Sequence, residues 1–155
     1  MPKTRVTLIG CAPAGVTIGH AVKAAMKDAE VIAHDKEREL ARNAVAAKAA
    51  DREEWNLPRA CENAALVLIN IPPDGIELTI KSIAKDVAQG SIVCVIGGSN
   101  VLNLDLAARH LPADVGFVSS SLVLHPDRVQ AGEAPAAARV KDAMWSVAGR
   151  GSEAQ

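Results

Sequence analysis

Apolar positions along the chain fall into short unbroken runs separated by segments of helical period. Arg5-Val6-Thr7-Leu8-Ile9, Glu30-Val31-Ile32-Ala33-His34, Ala65-Leu66-Val67-Leu68-Ile69 and Ser91-Ile92-Val93-Cys94-Val95-Ile96 are the runs. Their continuity is that of strands covered on both faces. Between the first two, Ile18, Ala21, Val22 and Ala25 recur at helical spacing and predict a helix over Ala14–Lys27. Leu40, Ala44 and Ala47 mark a weaker one over Glu37–Ala49. The polar stretch Asp51–Asn63, with Trp55 and Pro58 inside it, reads as a loop and a short helix. Ile76, Ile80, Ile83, Ala84 and Val87 form the inward stripe of a further helix, which Asp74 is expected to cap and Gly90 to end. Glu77 and Lys81 on its outer face have the spacing of a helical ion pair. A short helix around Leu104–Arg109 and a strand around Val115–Val118 follow. A last helix is marked by Ala136, Val140, Ala143, Met144 and Val147, and Gly149–Gln155 reads as a disordered tail.

Strands alternating with helices over short connections define an α/β chain: a doubly wound, mostly parallel sheet with helices on both faces and right-handed crossovers. The expected organisation is one domain over residues 1–148 and a tail over 149–155, with no second substrate domain in this chain. An apolar content of 49% with one Phe and no Tyr suits small-residue helices packed closely on such a sheet. The net charge of −1 argues against nucleic acid and anionic membranes as partners. No apolar run approaches the about 18 residues needed to span a bilayer, and Pro2-Lys3-Thr4-Arg5 has no signal-peptide character. Cys11, Cys61 and Cys94 lack metal-ligand spacing and are odd in number, so they read as reduced thiols of a cytoplasmic protein that holds no metal.

Candidate chemistry concentrates at the first turn. The run ending at Ile9 meets Gly10-Cys11-Ala12-Pro13-Ala14-Gly15, a helix follows, and the second run ends at Asp35, twenty residues beyond Gly15. This is the dinucleotide-binding fingerprint of the Rossmann fold, with Ala12 in the place of the middle glycine. Gly10 permits the sharp exit from the strand, and Gly15 lets the helix cross close to it. The N–H groups of Ala14 and Gly15, at the positive end of the helix, would face phosphates. Pro13 suits a first helical turn but removes one donor, and the Ala12 methyl pushes a ligand outward, so binding weaker than that of a full glycine set is expected. Asp35 would accept the adenosine ribose hydroxyls and repel a 2′-phosphate, which favours NAD. His34, Lys36 and Arg38 together form a phosphate-pairing set and keep NADP as the alternative. Asp35 can also act as N-cap of the helix that follows.

Ligands of such sheets bind at the carboxyl ends of the strands. Asn70-Ile71-Pro72-Pro73 and Gly97-Gly98-Ser99-Asn100 are therefore expected to border the cofactor, with Ile71, Pro72, Gly97 and Ser99 in contact with it. The stiff Pro72-Pro73 pair reads equally as an apolar wall and as a rigid entry to the next helix. Ser119, Ser120 and Ser121 follow a strand end and are placed to line the nicotinamide pocket, but no acid or His lies at triad spacing. His20 and His110 read as structural.

Leu8-Ile9-Gly10 through Gly15, Val31-Ile32-Ala33-His34-Asp35, Ala65 through Pro72, and Ile92–Ile96 with Gly97 occur in the order and spacing of one known family. From Arg5 to Gly98 the chain resembles the nucleotide-binding domain of the prephenate dehydrogenase family and related NAD(P)-dependent dehydrogenases. The resemblance implies hydride transfer between the cofactor and a small hydroxy or keto acid. It also implies a catalytic histidine in a His-Pro motif, which His125-Pro126 matches and Gly132 follows. Such a histidine accepts the proton of a substrate hydroxyl as hydride leaves. Arg128 beside it would clamp a carboxylate. The family's Asp-Val-Gly-Ser-x-Lys stretch is not kept: Val95, Gly98 and Asn100 stand at its Asp, Ser and Lys positions, with Ser99 offset by one.

Members of that family carry a second, mostly helical domain that closes the substrate site. A homodimer or a partner domain completing the site is accordingly expected. Three readings follow: the cofactor domain of an oxidoreductase; a non-catalytic dinucleotide-sensing or regulatory module; and the same fold binding a mononucleotide or adenosyl group.

Overall fold

A computed structural model of the chain describes residues 3–123 and 144–151. His125, Pro126, Arg128 and Gly132 lie outside the described residues. The elements run β1 (Thr4–Ile9), α1 (Pro13–Ala25), β2 (Ala29–His34), α2 (Arg38–Ala46), β3 (Arg52–Glu53), α3 (Leu57–Cys61), β4 (Leu66–Ile69), α4 (Pro73–Ile83), β5 (Ile92–Ile96), α5 (Asn100–His110), β6 (Gly116–Val123) and β7 (Met144–Arg150).

The sheet has the order β3-β2-β1-β4-β5-β6-β7. The first six strands pair in parallel, with Val6 opposite both Val31 and Leu66, and Cys94 opposite Leu68 and Val118. Strand order reverses direction between β1 and β4, the switch point at which such sheets form a ligand crevice at the carboxyl ends of the strands. The doubly wound sheet with helices on both faces is as expected.

Alternation along β1 separates two cores. Val6 and Leu8 pack with Ile18 of α1 and Ala41 and Ala44 of α2. Ile9 packs on the other face with Ile76, Ile80 and Ile83 of α4, Ala107 of α5, and Phe117. Glu77 and Lys81 form the expected ion pair at 2.8 Å, and His110 Nε2 reaches Glu77 at 3.2 Å. At the amino end of the sheet Glu30 joins Arg5 and Arg52 across three strands at 3.3 and 3.2 Å.

Three local expectations are corrected. Pro72, not Asp74, is the residue at the N-cap of α4; Asp74 sits inside the first turn, where its charge still suits the helix dipole. Asp35 is not the cap of α2, whose N-cap is Glu37. Met144 and Val147 belong not to a helix but to β7, which pairs antiparallel with β6, Ser146 opposite Ser121 and Gly149 opposite Val118. Strand pairing therefore continues through Gly149 and Arg150. The Arg150 guanidinium donates to the carbonyls of Leu111 and Pro112, tying the strand to the end of α5.

Candidate functional site: the crevice at the carboxyl ends of β1, β4 and β5

Gly10 leaves β1 with φ +93, and a Cβ there would overlap the Asn70 carbonyl at the end of β4. Its N–H donates to His34 C=O at 2.9 Å, so the turn is pinned to β2 as well. A Cβ on Gly15 would collide with the Gly10 carbonyl, which is why α1 can cross directly over the turn. Gly19, one helical turn on, carries a constraint that the motif does not include: its Cβ would lie 2.5 Å from the Ala49 carbonyl. The Gly15–Gly19 spacing is the signal that would have revealed this close approach.

Pro13 occupies the first position of α1, and no side chain caps this helix end. Val16 N–H bonds back to Ala12 C=O at 3.1 Å. The N–H groups of Ala14 and Gly15 are left at the open first turn, beneath exposed Ala12, Pro13 and Ala14. A ligand phosphate is the natural partner for such a turn.

Asp35 follows β2 and closes on the same turn. Its Oδ2 accepts the Cys11 N–H at 2.7 Å and its Oδ1 accepts the Glu37 N–H at 3.0 Å. Each carboxylate oxygen keeps a lone pair for a further donor. His34 is buried, and its Nδ1–H donates to Glu54 C=O at 2.9 Å. Committed in this way, it leaves the phosphate-pairing set, of which Lys36 and Arg38 remain, both exposed. Burial, and after it the Asp35 charge, pushes the Cys11 thiol up to about 12, so Cys11 is a neutral packing residue. Burial does the same to Cys61. All three cysteines are free, and no metal-binding cluster exists among the described residues.

Across the crevice, Ile71 is turned inward. Its side chain lies against Gly10 and Gly75 and joins the core on the α4 face, so it braces the turn. Pro72 is exposed at the rim.

The loop after β5 holds Gly97 with φ +107 and Gly98 with φ +72. Gly97 N–H donates to Ser120 C=O at 2.7 Å, and nothing lies where its Cβ would be. Exposed Ser99 stands at the N-cap of α5; its C=O accepts the Asn103 N–H at 2.9 Å, and its side chain makes no cap bond. Helix α5 is longer than the short helix expected, and its first turns carry a polar network the sequence reading did not anticipate. Asn103, 3% exposed, donates through Nδ2 to Gly97 C=O and to Ser119 Oγ, both at 2.9 Å. Ser119 Oγ donates to Asn100 Oδ1 at 2.8 Å, and Asn100 Nδ2 donates to Ser146 Oγ at 3.2 Å. Ser119 is thus buried inside the scaffold rather than lining a pocket, and Ser120 is buried with its hydroxyl unpartnered.

A doubly wound sheet with a glycine turn, an open helix N-terminus and an acid at the second strand's end is a nucleotide-binding domain of Rossmann type. The model of the prephenate dehydrogenase nucleotide-binding domain matches residues 18–134, well over half of the chain, and the chain belongs to that family. The match includes Asp35 and both later loops but begins inside α1, beyond the glycine turn.

Solved structures agree in fold. Arogenate dehydrogenase from Synechocystis superposes with a TM-score of 0.68 at 12% identity, covering 78% of this chain and 41% of that one. Prephenate dehydrogenase from Aquifex aeolicus, solved with hydroxyphenyl propionate and NAD+, gives 0.64 at 16% identity, over 87% and 44%. An imine reductase from Myxococcus stipitatus in complex with NADP+ gives 0.64 at 14%, over 81% and 43%. The chain therefore spans less than half the length of each of these. No curated protein sequence matches it.

Proposed function

We propose that this domain binds a nicotinamide dinucleotide, NAD in preference to NADP, and supplies the cofactor half of an oxidoreductase of prephenate dehydrogenase type. The observation that carries the reading is the Asp35 carboxylate, held by the Cys11 and Glu37 N–H groups at the lip of the glycine turn. Fixed there, its free lone pairs suit two ribose hydroxyls and its charge opposes a phosphate. The first turn of α1, through Ala14 and Gly15 N–H, receives the pyrophosphate. Gly97 and Ser99, with Pro72 at the opposite rim, border the nicotinamide half. NAD and NADP complexes of structurally similar proteins support the ligand class.

The substrate is a small hydroxy or keto acid, and the second half of its site comes from another domain or subunit. His125 is the base that would take the hydroxyl proton, and hydride transfer to the nicotinamide is the chemistry the bound dinucleotide supplies. The three free thiols, Cys11, Cys61 and Cys94, support a cytoplasmic setting. Calorimetric titration with NADH and NADPH tests the reading. NADH is expected to bind more tightly, and Asp35→Ala to erase the preference; binding of neither nucleotide overturns it.

A further inference from the structure

We propose that Asn103 is a positioning residue for the nicotinamide half of the cofactor, acting through the Gly97 carbonyl. The inference rests on the dinucleotide reading above and goes beyond it, because Asn103 is buried and cannot itself touch a ligand in the crevice.

The Gly97-Gly98 loop has two successive residues at positive φ, a conformation with little intrinsic preference in a flexible glycine pair. Hydrogen bonds must therefore select it: Ser120 C=O holds the Gly97 N–H at 2.7 Å, and a side chain fixes the Gly97 carbonyl. Asn103 does so through one nitrogen, whose two protons go to Gly97 C=O on the loop and Ser119 Oγ on β6. The amide also lies against Gly98, where an added Cβ would be 3.6 Å from Nδ2 and 3.7 Å from Oδ1. Ser119 passes the anchor on to Asn100, and Asn100 passes it to Ser146 on β7. Gly97 is thereby held with open space on its Cβ side, and its carbonyl keeps one lone pair for a hydroxyl of the nicotinamide ribose. A backbone this mobile, if released, would have to be ordered again by every ligand that uses it.

The arrangement predicts a split between the two halves of the cofactor. The adenosine half meets Asp35 and the α1 turn, at the other end of the crevice. Asn103→Ala and the volume-conserving Asn103→Asp are titrated with NADH, followed by nicotinamide fluorescence and calorimetry, and with ADP-ribose by calorimetry. Ser119→Ala serves as a buried control that keeps the Gly97 bond. Both Asn103 variants are expected to lose about tenfold in NADH affinity. ADP-ribose affinity stays within about twofold, and Ser119→Ala loses less NADH affinity than either. Equal losses for NADH and ADP-ribose overturn the proposal, whether they come from unfolding or from a general structural role. Unchanged NADH affinity in Asn103→Asp overturns it as well. Wild-type protein that binds ADP-ribose but not NADH removes the nicotinamide site and this inference with it. Wild-type protein that binds neither removes the dinucleotide reading.

Discussion

At the end of β1 close backbone packing shapes the turn: Gly10 and Gly15 interlock with carbonyls, and only hydrogen-sized side chains fit. At the end of β5 the turn is equally glycine-rich, yet the space beside Gly97 is empty and a buried amide sets the shape. The first loop is shaped chiefly by steric contact, with the Asp35 carboxylate adding one bond to the Cys11 N–H. The second is selected by hydrogen bonds, and removing the Asn103 amide frees the Gly97 carbonyl while the Gly97 N–H bond to Ser120 remains. The difference suits the proposed division of labour, a rigid cradle for phosphate and ribose and an adjustable border for the reacting end.

Glycine replacement breaks the comparison most strongly. Gly10→Ala puts a methyl into the Asn70 carbonyl at φ +93, and we expect it to cost about 3 kcal/mol or more, a fall in Tm of roughly 6–12 °C. Gly97→Ala meets no atom and bears only the backbone strain, about 1–2 kcal/mol. Thermal melts of the two variants should differ clearly; equal melting temperatures would refute the distinction between the loops.

Asp35→Ala comes next. Loss of its charge-assisted bonds is expected to weaken NADH binding by about 10- to 100-fold and to spare NADPH. An equal loss for both nucleotides would show that Asp35 serves the turn and not the ribose.

A third test uses the thiol within the first loop. Cys11 and Cys61 are pushed from 9.0 to about 12 by burial, so the folded state retains protons that the unfolded state releases. Their contribution is complete below pH 9 and is lost as the pH rises from 9 toward 12. Stability measured by denaturant titration should fall across that window. In Asp35→Ala the fall should be shallower, because the carboxylate beside Cys11 is gone. The smallest effect is expected from Ala12→Gly, which removes one exposed methyl from the turn and should tighten NADH binding a few-fold, read by the same calorimetry.

The steric loop was legible in the amino-acid sequence, and the hydrogen-bonded one was not. Gly10, Gly15 and Asp35 declare themselves because spacing along one strand–helix–strand unit fixes their geometry. Asn103 pairs with a serine sixteen residues away on another strand, and no local period reports such a partner. The available hint was an Asn100–Asn103 pair on one helical face, followed by a serine at the centre of the next strand. The last strand was misread for a related reason: Met144 and Val147 fit a helical stripe, while the pairing that makes them a strand comes from β6. His34 looked like a free cation in sequence because its partner, the Glu54 carbonyl, lies beyond the next helix.

The measurement that tests the account most directly is an amide NMR titration of the domain with NADH. Shifts at Ala14 and Gly15, at Cys11 and Asp35, and at Gly97 and Gly98 would place the dinucleotide across both loops, as the account predicts. Shifts confined to the shallow cleft of Lys81, Lys85 and Arg109 at the opposite end of α4 and α5, or no shifts at all, would contradict it.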